Sequence, residues 1–407
     1  MKVLYITLEN LSLHKGSVVH VREIIAGLRK LGHEVGLIAS SWDRFEKADR
    51  FYNLHKSLGF RRQPHFISSI LLFIYLIKVL PRYDILYARD YHTVLIALIP
   101  RIIFNKRLVF EINGIAHEEW KLKGDSILNL VISTLIRKAE GLAVRYSDRI
   151  VSVTPQIASY LVRQFYCPED KVEVISNGVN TRIFHPIQDE ASLLEWKRKF
   201  GIEREEKVVA FVGNLAPWQG VEYLVQVAPL LISTVENIKF MIIGNGILRK
   251  GLEAEVKRLG VSRHFLFTGM VHYKQIPLYI NIADIGVAPF ISKRNRKTGV
   301  SPLKVLEYMA CGKPVVASRI EGLEFIEAEG AGLLVEPEDL ISLETALFEL
   351  LKDSQKREGM GRRGLQIVQD RFSWDSAALR IEKLLERLAQ GLLIYLHKSC
   401  SRRRLWG

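Results

Sequence analysis

Residues 301–318 read SPLKVLEYMACGKPVVAS, from Ser301 to Ser318. The pattern predicts a short helix carrying Lys304 and Glu307, a stop at Gly312 and a buried strand from Pro314 to Ala317. Ser301 suits the N-cap, and Pro302 suits the first helical position, where its missing N–H costs nothing. A helix start of this kind presents unpaired N–H groups and the positive end of the dipole, which suits a diphosphate. Lys304, one residue beyond Leu303 in the first turn, adds a point charge for the same anion. Glu307 lies three residues further on and shares its face. An ionised carboxylate only accepts hydrogen bonds, so a ribose diol is a natural partner. A Lys/Glu pair at this spacing is otherwise the ordinary solvated face of a helix.

Outward from this stretch, short apolar strands alternate with amphipathic helices along the whole chain, the pattern of parallel sheets covered by helices. In the first half strands are expected at Val3–Thr7, Glu34–Ala39, Asp84–Arg89, Leu108–Ile112, Arg149–Val153 and Val172–Ile175. In the second they are expected at Val208–Gly213, Lys239–Ile243, Phe265–Thr268, Ile285–Ala288, Pro314–Ala317 and Gly332–Val335. This is an α/β chain of two Rossmann-like doubly wound domains. The first is placed at 1–185, a polar connection at 186–206, the second at 207–374, and a terminal helix with a basic tail at 375–407. Ligands of such sheets bind outside the carboxyl ends of the strands.

The 407 residues suffice for two domains with substantial cores, and 48% apolar against 25% charged residues describes a globular protein. Lys and Arg number 58 against 44 Asp and Glu, which suits an anionic substrate or membrane. No RNA-binding aromatic motif or zinc-finger spacing is visible, so nucleic acid is not an expected partner. Three scattered cysteines (Cys167, Cys311, Cys400) point to a reducing cytoplasm and not to a disulfide framework. The longest apolar run, Phe66–Leu80, is too short to span a bilayer as a helix. It reads as a buried or half-buried helix or as a monotopic patch, the latter helped by Arg44, Lys47, Arg50, Lys56, Arg61 and Arg62 just before it. The tail HKSCSRRRLWG is basic with a terminal aromatic, and suits the inner face of an anionic membrane in the same way.

The full string from Ser301 resembles the signature of the retaining glycosyltransferases of group 1, family 4, in which a helix Glu is followed by small residues and GKPVVAS. The resemblance implies the GT-B architecture, with a nucleoside-diphosphate-sugar in the second domain and an acceptor at the first. Val172–Pro186, VEVISNGVNTRIFHP, resembles the family's I-x-NGVD-x-x-x-F-x-P, with Asn177-Gly178 as a turn pair tolerant of positive φ. The helix starting near Phe372–Trp374 is one that, in such proteins, crosses back to the first domain. Ile242–Gly246, IIGNG, fails G-x-G-x-x-G and so does not support a dehydrogenase. It resembles the family's donor-domain strand end, at Gly244. The following block, Phe267–Ala288, places Val271 near the nucleobase by the same resemblance.

Two departures matter. Val209–Gly220, VAFVGNLAPWQG, resembles the family's vGRL-x-x-x-KG, whose Arg and Lys grip the diphosphate, but has Asn214 and Gln219 there. Both side chains donate hydrogen bonds, yet charge-assisted bonds are roughly twice as strong, so Lys304 carries more of the load, with the basic loop Lys293–Lys297 as a possible contributor. Gly299 stands where the family's E-x7-E has its first Glu, which matches an SPLK-x-x-E subgroup.

In the first domain, Gly16-Ser17 precede a helix expected to start near Val18–His20, where glycine lets backbone N–H groups approach a phosphate, with His20 in the first turn. Arg89 and Asp90 end a strand at the acceptor side. In FEINGIAHEEW (Phe110–Trp120) Asn113 takes the position of the family's reacting-centre His, and His117 lies four residues on, either as its substitute or as a structural residue. No D-x-D dyad or metal-ligand spacing occurs, so neither a metal nor a cofactor is expected. These readings converge on a cytoplasmic enzyme that moves a sugar from a nucleoside-diphosphate-sugar to a glycan or lipid-linked acceptor. The alternative is a noncatalytic relative serving as a binding or scaffold protein.

Overall fold

The computed structural model describes residues 1–13, 16–41, 45–54, 65–121, 124 and 126–403. Arg44, Lys56, Arg61 and Arg62, and the side chains of the basic tail including Cys400, lie outside the described residues. The chain forms two compact units, residues 1–176 with 374–407, and residues 177–373.

The first unit holds a parallel sheet of seven strands: β1 (Lys2–Asn10), β2 (Glu34–Ser40), β3 (Arg50–Asn53), β4 (Ile85–Arg89), β5 (Arg107–Ile112), β6 (Arg149–Ser152) and β7 (Val172–Val174). Their order is β3-β2-β1-β4-β5-β6-β7. The central strands are near-continuous apolar runs because helices cover both faces. Strand β3 was not foreseen: RFYN is short, half-exposed and set among charged residues, and so lacks the apolar run of a central strand. One face of the sheet is covered by the helices His65–Val79, Tyr91–Ile103 and Ile127–Tyr146, whose inner residues share a core with Leu4, Leu86 and Phe110. On helix Gly16–Lys30 packs the terminal helix Trp374–Arg403, with Gly27 against Ala378 and His33 Nε2 2.9 Å from Glu382 Oε1.

The second unit holds six parallel strands, β8 (Lys207–Val212), β9 (Ile238–Ile243), β10 (Phe265–Gly269), β11 (Ile285–Ala288), β12 (Val315–Ser318) and β13 (Gly332–Val335). Their order is β10-β9-β8-β11-β12-β13. Residues 177–206 pack with this unit: Phe184 is in its core, and the Ile187 N–H donates to Asn281 Oδ1 at 2.8 Å. In each unit the chain reverses its winding direction between two neighbouring strands, β1 and β4 in the first and β8 and β11 in the second. That is the switch point where doubly wound sheets bind ligands.

Three local expectations are corrected. Pro302, and not Ser301, occupies the N-cap of helix Leu303–Ala310, and no side chain caps it. The Ser301 hydroxyl instead accepts from the Asn177 N–H at 3.1 Å, and its carbonyl accepts from Asn177 Nδ2 at 3.3 Å. Accordingly, neither Asn177 nor Gly178 takes the positive φ that the turn pattern allowed. The expected basic loop 293–297 lies within a helical turn, Ser292–Thr298, because Asn295 is buried and donates to the Trp218 and Ile291 carbonyls at 3.1 and 2.8 Å.

Candidate functional site

In the second unit the helix Leu303–Ala310 is held at the switch point by Tyr308, whose hydroxyl accepts from the Val212 N–H at 2.7 Å and donates to the Val287 carbonyl at 3.4 Å. The same helix therefore bridges β8 and β11, and its start points Lys304 toward the loops that follow those strands. The Lys304 ammonium lies 3.8 Å from the ring centre of Phe211 and 5.3 Å from that of Phe290, and donates to Gln219 Oε1 at 2.6 Å. Ring faces attract a cation through their quadrupole. The contact needs glycine at 213: φ is +146° there, and an added Cβ would sit 3.0 Å from Lys304 Nζ. Gly244, at the end of β9, is required by a closer approach, since a Cβ would fall 1.9 Å from the Gly213 carbonyl oxygen.

Lys304 is 8% exposed and Glu307 6%. Burial pushes the Lys304 ammonium down to about 7 against the pull of Glu307. Burial pushes the Glu307 carboxyl up, opposed by Lys304. Each group is thus easier to neutralise than in water, and an incoming group of opposite charge or a hydrogen-bond partner restores its ionised form. Asn214 is exposed at the mouth of the turn, Ser301, Pro302 and Leu303 are half-buried at the helix start, and Val271 packs on the core beyond β10. Helix N–H groups without a side-chain cap, a buried ammonium and a buried carboxyl are thus carried by one helix beside the switch point. Among the described residues no group of three or more His, Cys, Asp or Glu is disposed to hold a metal ion.

In the first unit Glu111, on β5, is fully buried and was not singled out from the sequence. It gathers four neighbours. His20 Nε2 is 2.9 Å and Arg89 Nε 3.4 Å from Oε1, Asn113 Nδ2 donates to Oε1 at 2.8 Å, and the Tyr5 hydroxyl donates at 3.4 Å. Burial pushes the Glu111 carboxyl up, but His20, then Arg89 and Asn113, override it and hold the group down at about 2. Beside this carboxylate, burial and its charge push the hydroxyls of Tyr5 and Tyr87 up. Arg89 also donates to the Ser17 carbonyl at 2.5 Å, which ties the helix start at Gly16 to the end of β4. Asp90 caps helix Tyr91–Ile103 through the Thr93 N–H at 3.0 Å, at a strained φ of 76°. Ser17, His20, Arg89 and Asn113 thus belong to one network around Glu111. The signal in the sequence was a single carboxylate inside LVFEI, an apolar strand buried on both faces.

His117 belongs to a different network. It is buried, with Nδ1 on Glu140, and with Nε2 2.9 Å from the Tyr160 hydroxyl. Glu140 also accepts from the Ala116 N–H at 2.7 Å. These bonds join helix Ala116–Lys121 to helices Ile127–Tyr146 and Pro155–Phe165.

The sequence profile described as "Glycosyltransferase Family 4" matches residues 14–183, and the one described as "Glycosyl transferases group 1" matches residues 194–367. An uncharacterized glycosyltransferase of Methanocaldococcus jannaschii is 27% identical over 374 residues, covering 89% of this chain and 92% of that protein. The GDP-mannose-dependent monoacylated alpha-(1-6)-phosphatidylinositol monomannoside mannosyltransferase of Corynebacterium glutamicum is 28% identical over 58% of this chain. The match spans 62% of that relative's length. Among solved structures, sucrose-phosphate synthase from Thermosynechococcus elongatus superposes with a TM-score of 0.77 at 19% identity, covering 96% of this chain and 99% of the other. The fold is GT-B, and the chain belongs to the group 1 glycosyltransferases.

Proposed function

We propose that this glycosyltransferase takes a sugar from a nucleoside-diphosphate-sugar and moves it, with retention of configuration and without a metal ion, to a glycan or lipid-linked acceptor. In this reading it acts in the cytoplasm, in surface polysaccharide or glycolipid synthesis, and touches the inner face of the membrane peripherally. The observation that carries the reading is the pairing of Lys304 with Glu307, both buried at the second switch point beside an uncapped helix start. Lys304 and the helix N–H groups meet the diphosphate, whose charge grows as the sugar leaves. Preorganised donors of this kind are commonly the largest catalytic contribution. Glu307 accepts from the ribose hydroxyls, and Gly213 and Gly244, which let Lys304 and the neighbouring backbone come close, shape the strand ends on the donor side. Asn214 and Gln219 add neutral donors, and Val271 lies toward the base. On the first unit, Gly16 and Ser17 serve the donor, Asn113 the reacting centre, and His20, Arg89 and Asp90 the acceptor. His117 is proposed as a support for the Asn113 loop through Glu140. The mannosyltransferase relative, whose name gives a GDP-mannose donor and a lipid acceptor, supports this class of reaction.

A thermal-shift panel of UDP-, GDP-, ADP- and dTDP-sugars tests the donor site, since a ligand of the folded state alone raises its stability. One of the four is expected to raise the melting temperature in the native protein and not in Glu307→Ala. Absence of a shift with all four overturns the reading. A shift without release of nucleoside diphosphate on adding glycan or lipid acceptors would instead support the noncatalytic alternative. The anomeric configuration of a product, read by NMR, decides retention.

A further inference from the structure

The outer surface of the first unit carries apolar residues that no core absorbs. On helix Ile127–Tyr146, Ile127 is 84% exposed, Leu128 68%, Val131 51% and Leu135 59%. Their spacing places them along one face over two turns. Helix His65–Val79 adds Phe66, Ile70 and Ile74, again at four-residue intervals and all exposed. Between the two lies helix Tyr91–Ile103, packed against both, with Ile99, Ile102 and Ile103 exposed. Soluble monomers rarely expose apolar area on this scale in one place.

Charge indicates what covers it. The exposed charged residues of these three helices are Lys78, Arg137, Lys138 and Arg145, all basic. Their one acidic residue, Glu140, is 1% exposed and bonded to His117 and the Ala116 N–H. A second copy of the same face would bring cation against cation, whereas an anionic lipid surface complements both the apolar residues and the charges. None of the described helices is long and apolar enough to cross a membrane, so the contact is one that lies on the surface.

We propose that the helices Ile127–Tyr146 and His65–Val79 dock the first unit on an anionic bilayer, with Ile127, Leu128 and Val131 as the leading insertion. Helices that connect parallel strands return antiparallel to them, so the first turns of Ile127–Tyr146 lie at the carboxyl end of the sheet. That is the end at which Arg89, Glu111 and Asn113 sit. The docked surface and the Glu111 network therefore share one end of this unit, as a lipid-linked acceptor requires. The docking deepens the membrane contact of the proposed function, and this last step rests on the proposed transfer reaction as well.

The test is co-sedimentation of the full chain with phosphatidylcholine vesicles, with and without about a third phosphatidylglycerol. The native protein is expected to sediment with the anionic vesicles and much less with the neutral ones. Ile127→Ser/Leu128→Ser/Val131→Ser is expected to lower that binding at least tenfold with the melting temperature unchanged. A Phe66→Ser/Ile70→Ser pair is expected to weaken it less. No sedimentation with either vesicle, or equal sedimentation by the triple variant, overturns the proposal. So does a dimer in light scattering that the triple variant dissociates, which would give the face to a second copy. The donor-induced thermal shift of the triple variant is read alongside, so that a failure of the sugar-nucleotide reading is recognised separately.

Discussion

In the first unit the buried carboxylate of Glu111 meets His20, Arg89, Asn113 and Tyr5, whereas in the second the buried ammonium of Lys304 meets one neutral amide and two ring faces. Both groups sit at the strand ends beside a switch point of the same kind of sheet. The first is held ionised by its surroundings, and the second is pushed toward its neutral form. A charge already satisfied by protein fixes geometry and has little left to give a ligand. A charge left short of partners gains from an incoming anion, and this is the physical difference between a frame and a binding site.

Removing each charge should separate the two cases. Glu111→Leu leaves Arg89 and His20 buried without their shared partner, and breaking a buried pair in this way costs about 3–5 kcal/mol. Denaturant unfolding should therefore show a large loss of stability. A loss below about 1 kcal/mol would mean that the Glu111 network is not the frame described.

Lys304→Met removes a cation that burial already disfavours, so the stability change should be small or favourable. Donor affinity should instead fall about 10- to 150-fold, the equivalent of the 1.5–3 kcal/mol typical of a hydrogen bond to a charged group. Titration calorimetry with the nucleotide-sugar found in the panel measures it. The pH dependence sharpens the point. A nucleotide-sugar is a diphosphate diester with no titrating group near neutrality, so proton uptake on binding reports on the protein. The free Lys304 value lies below that of an ordinary lysine and the bound anion raises it, so its contribution makes affinity fall as pH rises through about 7. Glu307, pushed up to about 7 and returned to its ionised form by the ribose hydroxyls, contributes the opposite slope, so Glu307→Gln should leave the fall unopposed and Lys304→Met should abolish it.

How much of this was legible beforehand follows the same division. All twelve strands read from the sequence are present: the buried ones because a strand covered on both faces must be apolar throughout, and the half-exposed edges β7 and β10 because Val172, Val174, Phe265 and Phe267 favour a strand even there. The half-exposed edge strand β3 escaped because its residues obey no such demand. Lys304 and Glu307 stood out because their segment carries a long motif. Glu111 did not, because its meaning comes from His20 and Arg89, which lie 91 and 22 positions before it and meet it only across the sheet. Gln219 is read as a donor to phosphate; that its carbonyl oxygen faces Lys304, which leaves its amide nitrogen to donate, is an orientation that only the fold supplies.

The smallest effect concerns the helix start itself. With Pro302 in the N-cap and no side chain capping, Ser301→Ala removes no cap and leaves the helix N–H groups as they were. What it removes is the hydroxyl that accepts from the Asn177 N–H, worth about 0.5–1.5 kcal/mol in stability. Donor affinity should then change less than twofold, in contrast with Lys304→Met. A loss of affinity near that of Lys304→Met, with stability intact, would instead make the Ser301 hydroxyl a direct ligand of the diphosphate. That result would move the anion site from the Lys304 side chain toward the turn that precedes the helix.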